Sequence, residues 1–284
     1  MTKTSIDIAI AYRIYPGVSK TPIIFSDDKL KLTEVGVSTL KKSLGGLNPK
    51  VFFLLDNCPL AYEAMIKKYF SEEEAVFIHY EGIGNLATFG KQIDLLLSQT
   101  DSEIVMFAED DYIYKTEELT KAIALFSTGK GIDFVTPYDH SDSYSLPIHT
   151  RHSYEIRISA GLHWRTSAST CLTFLTTKKT LKKTESVFRS YCHNNWDSSL
   201  WFALTKYNVL SLKSMFLLFN DTFLLKTVVK SWHYGWRQIL FGKHYKLWQP
   251  MPSIATHMEK TGLAPNVDWR KVITQNNSGE PFLK

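Results

Sequence analysis

Cysteine is too scarce in this chain to organise it. Three occur among 284 residues, Cys58, Cys171 and Cys192, far apart and with no C-x-x-C pair. An odd, scattered set supports neither a disulfide framework nor a zinc knuckle, and it fits a reducing compartment such as the cytosol. Long apolar runs are missing as well. No uninterrupted segment reaches the roughly 20 residues that cross a bilayer. The apolar stretch near the N-terminus carries Lys3, Asp7 and Arg13, so no signal peptide is expected. Internal repeats are absent. There is no Gly-x-x-x-x-Gly-Lys-Ser/Thr loop, which argues against a kinase or nucleoside triphosphatase of that type. The Gly-x-Ser-x-Gly elbow of serine hydrolases is lacking too. Basic residues do not interleave with aromatics as in RNA-binding sheets, so no nucleic-acid partner is expected.

What remains is a globular composition, 44% apolar and 21% charged. The length suits one large α/β domain or two small ones, with a sizeable core. The net charge of +5 is mild and favours an anionic partner, such as a nucleotide phosphate or a lipid headgroup.

The most informative stretch runs from Asp101 to Tyr112. Its apolar segment, 104–108, has the length of a strand buried on both faces, and it ends in Glu109, Asp110 and Asp111. Adjacent carboxylates repel unless a cation or hydrogen-bond donors offset the repulsion. Ligands of open α/β sheets bind beyond the carboxyl ends of strands. Hard cations such as Mg²⁺ and Mn²⁺ take oxygen ligands and bridge to substrate phosphates. A solvated turn before a helix is the other reading, because acids favour helix N-termini.

Strands and helices alternate around this cluster. Strands are predicted over 5–14, 50–55, 76–80 and 104–108, and helices over 33–44, from Pro59 to about 70, after Asn85, and over 115–126. Such alternation implies a mostly parallel sheet with right-handed crossovers. Three strand exits carry candidate ligand residues: Tyr12 and Arg13, suited to a base and a phosphate; Asp56; and the three acids. The turn Glu81-Gly82-Ile83-Gly84-Asn85 opens a helix and can bring backbone N–H groups near an anion.

Beyond Gly131 the pattern changes. A strand is expected over 132–137, a polar loop over 138–149, β-segments over 154–160 and 169–176, and a helix over 178–191. Asp197 precedes a helix whose Leu200, Trp201 and Leu204 face inward. It reads either as an N-cap or as a general base at the mouth of an acceptor site. A long helix over 223–241 carries Lys226, Lys230, His233 and Arg237 in one stripe, with Leu225, Val229, Trp232, Trp236 and Leu240 beside it. That arrangement suits an anionic membrane surface or a packed helix with a solvated basic edge. A frayed tail is expected after about Ile273.

The β-α units closing on Phe107-Ala108-Glu109-Asp110-Asp111-Tyr112 resemble the nucleotide-sugar-binding half of a GT-A glycosyltransferase, with Glu109-x-Asp111 as its D-x-D motif. His163-Trp164-Arg165, Ser169-Thr170-x-x-Thr173-Phe174, Trp196-Asp197 and Ala255-Thr256-His257-x-Glu259, followed by Pro265-x-x-Asp268-Trp269, look like bacterial glycosyltransferases related to family 2. The resemblance implies a Rossmann-like α/β fold, its mostly parallel central sheet flanked by helices, with a C-terminal helical extension. It divides the chain into a nucleotide-sugar half (1–137), an acceptor half (138–220) and a C-terminal helical region (221–284).

The implied activity is metal-dependent, inverting transfer of a sugar from a nucleotide-diphosphate donor to a saccharide or glycolipid acceptor, in surface polysaccharide synthesis. Mn²⁺ or Mg²⁺ is the implied cofactor. The implied location is cytoplasmic, peripheral on the inner membrane face through Lys226, Lys230 and Arg237. Position by position, Asp56 matches the acid that pairs with the nucleobase. Asp110 and Asp111 match the acids at ribose and metal, with Asp111 the direct ligand. His257 completes the metal site, and Asp197 matches the catalytic base. Tyr12, Arg13, Asn85, Glu109 and Arg165 fill out the donor site. A nucleotidyltransferase of similar fold would show a glycine- and lysine-rich loop after the first strand, where this chain has Tyr12-Arg13-Ile14-Tyr15-Pro16-Gly17. A non-catalytic nucleotide- or sugar-binding module is the remaining alternative.

Overall fold

The computed structural model describes residues 5–18, 21–129, 131–146, 149, 153–207, 209–210 and 221–276. Its first half is β1 (Ile8–Ile14), α1 (Lys29–Ser43), β2 (Pro49–Asp56), α2 (Leu60–Ile66), β3 (Ala75–Tyr80), α3 (Asn85–Ser98) and β4 (Ile104–Glu109). The four strands run parallel in the order β3-β2-β1-β4. Every residue of β1 is buried, because both faces of the sheet are covered. Ile8, Ile10 and Tyr12 pack with Val35 and Leu40 of α1 and Tyr62 of α2. The intervening Ala9 and Ala11 lie with Phe89 and Ile93 of α3. α1 starts earlier than the expected residue 33 because Asp28 caps it, accepting from Lys31 N at 3.0 Å.

The second half contains β5 (Tyr112–Tyr114), α4 (Leu119–Phe126), β6 (Phe134–Val135), α5 (Asp142–Ser145), β7 (Ile156–Ser159), β8 (Leu162–Ser167), β9 (Phe174–Thr177), α6 (Lys178–Arg189) and α7 (Asp197–Thr205). It continues with α8 (Thr222–Phe241), β10 (Leu247–Met251), β11 (Ala255–His257) and α9 (Trp269–Asn276). The main sheet has the order β3-β2-β1-β4-β9-β6-β10-β8-β7. β9 and β8 run against their neighbours, and the other strands share one direction. The architecture is therefore α/β with a large, mostly parallel central sheet flanked by helices. The C-terminal region supplies two helices and also two strands: β10 lies between β6 and β8, and β11 pairs with β5 in a separate ribbon.

Several elements differ from the sequence reading. Residues 112–114 are a strand paired with β11, so α4 begins at Leu119 rather than 115. The β-segment expected over 169–176 narrows to Phe174–Thr177, the part that pairs with β4 and β6. Ile273 is buried in the core within α9, which runs to Asn276, and the rest of the tail expected to fray lies outside the described residues.

An aromatic cluster on the α3 side ties the two halves together. The rings of Phe107 and Phe174 stack at 4.7 Å, and Trp201 meets Phe134 and Phe174 edge-on at 5.2 and 5.0 Å. Phe188 completes the group. Pairs of this kind each contribute about 0.5–1.5 kcal/mol beyond area burial. They anchor α7 on the sheet and so fix where its first residue, Asp197, stands.

Candidate active site

The site is built at the carboxyl rim of the parallel strands. Arg13 and Glu109 end β1 and β4 and are register partners. The Arg13 guanidinium donates to Glu109 Oε1 at 2.5 Å, to Asn85 O at 3.1 Å and to Asn85 Oδ1. Asn85 donates onward to the Tyr191 hydroxyl at 3.1 Å, and Thr173 donates to Glu109 Oε2 at 3.3 Å. Burial works against the Arg13 charge, but the Glu109 charge and hydrogen bond outweigh it and hold its pKa above the ordinary value. Arg13, Asn85 and Glu109 are thus brought together as one network, with Thr173 and Tyr191 as members that sequence reasoning missed.

Asp56 is buried, and its two oxygens accept from Ile83 N and Gly84 N, both at 2.8 Å. The turn expected to offer N–H groups to an anion gives two of them to this carboxylate. Gly82 and Gly84 have φ of 75° and 83°, which only glycine adopts readily. Tyr12 cannot stack a base. Its ring is fully buried against Phe53 and next to Gly36, because it shares the inward parity of Ile8 and Ile10.

The remaining acids behave differently from one another. Asp110 accepts from Lys29 Nζ at 2.9 Å and from Tyr15 N at 3.0 Å, so both its oxygens are engaged. Burial raises its pKa and Asp111 adds to the rise, while Lys29 opposes it. Asp111 Oδ2 lies 2.9 Å from His257 Nε2. Asp111 Oδ1 is buried with no hydrogen-bond partner among the described residues. Burial pushes the Asp111 carboxyl up, but the charge and hydrogen bond of His257 more than offset this and set it below the usual range. The β5–β11 ribbon makes the pairing: His257 opposes Tyr112, and Met258 N donates to Asp111 O at 2.7 Å. Asp111, His257, Lys29 and Glu259 line one cavity together with Val18 and Met258. Nothing in the sequence singled out Lys29.

Asp197 is the first residue of α7, not its cap; Trp196 holds the cap position. The Cys171 thiol is partly buried. Burial raises its pKa, and the charges of Asp197, Glu109 and Asp111 add to the rise. Tyr191 likewise feels Arg13, Glu109 and Asp197. Arg165 belongs to a second network. It pairs with the buried Asp139 at 3.0 Å, which also accepts from Gln249 at 2.6 Å and Tyr144 at 2.5 Å. Its guanidinium lies over the Tyr144 and Tyr154 rings.

Among the described residues no group of three or more His, Cys, Asp or Glu side chains gathers to cage a metal. The donor set fits an ion held by two protein ligands, Asp111 and His257, with substrate oxygens and water completing the shell. Mg²⁺ commonly takes one or two carboxylates with substrate phosphates and water; the unpartnered Oδ1 is a ready ligand of that kind, whereas an imidazole nitrogen suits softer transition metals better.

No protein-family model matches the chain, and no curated protein matches its sequence. Several solved structures are similar in outline. A galactosyltransferase, LgtC, in complex with donor and acceptor sugar analogues is 11% identical over 68% of this chain and 69% of its own, with a TM-score of 0.41. S. aureus TarS is 15% identical over 70% of this chain and 56% of its own, with a TM-score of 0.43. The glycosyltransferase GlyE of Streptococcus pneumoniae TIGR4 is 14% identical over 96% of this chain and 64% of its own, also at 0.43. At such scores the likeness carries no functional weight.

Proposed function

We propose that the protein is a metal-dependent glycosyltransferase using a nucleotide-diphosphate sugar. The observation that carries this reading is the Asp111–His257 pair, with one carboxylate oxygen buried and unpartnered beside the Lys29 ammonium. A divalent ion bound there supplies neutralisation of the departing diphosphate. Lys29 adds a fixed positive charge on the same cavity wall. The Arg13–Glu109–Asn85 network holds the rim rigid and keeps the Glu109 charge balanced.

Asp197 is assigned the general base. Its carboxylate takes the proton of the acceptor hydroxyl as that oxygen attacks the anomeric carbon, and the bond to the diphosphate breaks with its electron pair leaving on oxygen. Attack opposite the leaving group inverts the centre. Such a base contributes about 10²–10⁴ in rate. Support for the assignment is the place of Asp197 at the start of α7, which the packing of Trp201 on Phe134 and Phe174 holds on the same sheet. The acceptor, a saccharide or a lipid-linked sugar, enters from the Asp197 side.

The test is release of nucleoside diphosphate from a panel of nucleotide sugars, with Mn²⁺ or with EDTA. Release that depends on Mn²⁺ is expected. Equal release in EDTA removes the metal role. Pyrophosphate release from a nucleoside triphosphate and a sugar phosphate identifies a nucleotidyltransferase instead, and calorimetric binding without turnover of any donor identifies a binding module.

A further inference from the structure

α8 has three distinct sides. One side is buried: Leu224, Thr227, Val228, Ser231, Gly235 and Ile239. It packs closely on α7, since a Cβ placed on Gly235 would sit 2.6 Å from Ala203 Cβ. Ser231 Oγ donates across the contact to Ser199 O at 2.9 Å. The second side is apolar yet open: Leu225 is 39% exposed, Val229 57%, Trp236 45% and Leu240 50%. These positions are spaced by four, seven and four residues, so they share one stripe. Phe223 and Phe241, 48% and 79% exposed, lie on another edge of the helix, beyond the basic residues. The third side, next to that stripe, carries the exposed Lys226, His233 and Arg237. No Asp or Glu occurs between Thr222 and Phe241.

Single exposed apolar residues are ordinary. A contiguous row along four helical turns is not, and such rows mark interaction surfaces. The charge beside the row decides the partner. An apolar stripe edged by cations and free of acids fits an anionic bilayer surface, where Trp and aliphatic side chains enter the headgroup boundary and basic residues meet lipid phosphates. No helix among the described residues is long and apolar enough to cross a membrane, so the geometry is one of lying on the surface.

From this we infer that the open face of α8 docks the protein on an anionic phospholipid surface. Lys230, expected from the sequence to share this contact, has another task. It donates to Asn194 O at 2.7 Å and lies over the Trp196 ring, which stacks on Phe223. Because Trp196 adjoins Asp197, the edge of α8 that carries Lys230 and Phe223 is the one turned toward the candidate base. The inference goes beyond the transferase reading and stands without it, since docking needs no donor, metal or turnover.

The test is flotation of the full chain with vesicles of phosphatidylcholine alone and of phosphatidylcholine mixed with phosphatidylglycerol, at low and high salt. The wild type floats with the mixed vesicles, and high salt releases it. Trp emission shifts to the blue on binding, and Trp236→Phe removes most of that shift. At about a fivefold loss per basic residue near an anionic surface, Lys226→Gln with Arg237→Gln weakens partition by roughly thirtyfold. Both side chains are exposed, so the melting temperature is unchanged. Equal flotation with neutral and anionic vesicles, or none with either, overturns the inference, and this wild-type comparison needs no variant to fold. A concentration-dependent dimer dispersed by Val229→Ser and Leu240→Ser assigns the face to a second copy and equally overturns it.

Discussion

Asp111→Asn separates an ion site from a structural ion pair. In the wild type the carboxylate is largely buried, with side-chain exposures of 23% for Asp111 and 12% for His257. Burial and the attraction of His257 oppose each other, and the attraction prevails only in setting the direction of the Asp111 shift. Losing one partner of a buried pair costs about 3–5 kcal/mol when the other charge is stranded. His257 is not stranded, because asparagine offers the ring a polar side chain of nearly the same shape. Asparagine keeps an acceptor oxygen for the ring and exchanges the unpartnered Oδ1 for an uncharged amide group. In EDTA at neutral pH the variant should therefore lie within about 1 kcal/mol of wild type.

Manganese should separate the two proteins. At a hundred times its Kd, a ligand bound by the native state alone adds about 2.7 kcal/mol. For a domain of this size that is roughly 5–10 °C in Tm. The wild type should gain it and Asp111→Asn should not. Acid gives an independent check. The folded Asp111 pKa is lowered, so its contribution is present above the unfolded value of about 3.9 and is lost as pH falls through the folded value. The wild type should thus lose stability relative to the variant in that window. Thermal and urea melts measure all three effects. A loss of 3 kcal/mol or more in EDTA, with no manganese shift in the wild type, refutes the reasoning and makes the pair structural.

Three further outcomes are expected. Asp197→Asn should lower kcat about 10²–10⁴-fold while leaving donor affinity unchanged by calorimetry; unchanged turnover removes Asp197 as base. Phe174→Ala, which empties a fully buried ring site against Phe107, Phe188 and Trp201, should cost about 3–5 kcal/mol in urea melts. Asp56→Ala strands the Ile83 and Gly84 N–H groups, which should cost about 1–3 kcal/mol and speed their hydrogen exchange.

The alternation of β1 to β4 with α1 to α3 was legible because both-face burial writes continuous apolar runs, and because the runs were separated by turn residues. The Arg13–Glu109–Asn85 association was legible in part, since all three sit at strand exits or a helix start. Tyr12 was misread as open although its parity with Ile8 and Ile10 pointed inward. What escaped was made by short strands paired over long distances. β5 and β11 have three residues each, too few to show a period, and their pairing creates the Asp111–His257 contact. The Arg165–Asp139 pair was hidden for the same reason: its acid lies in what reads as a polar loop. Lys29 is one lysine among many until α1 is placed beside Asp110.

The β5–β11 ribbon has a consequence for biosynthesis. Translation delivers Asp111 early and His257 late, with the whole of the wide sheet made in between. A ribosome-bound chain can close its first parallel layer while one of the two side chains assigned to the ion has yet to be translated. On the proposed reading competence arrives as a late step of vectorial synthesis, and a stop between β10 and β11 would leave out one of the two side chains proposed for the ion.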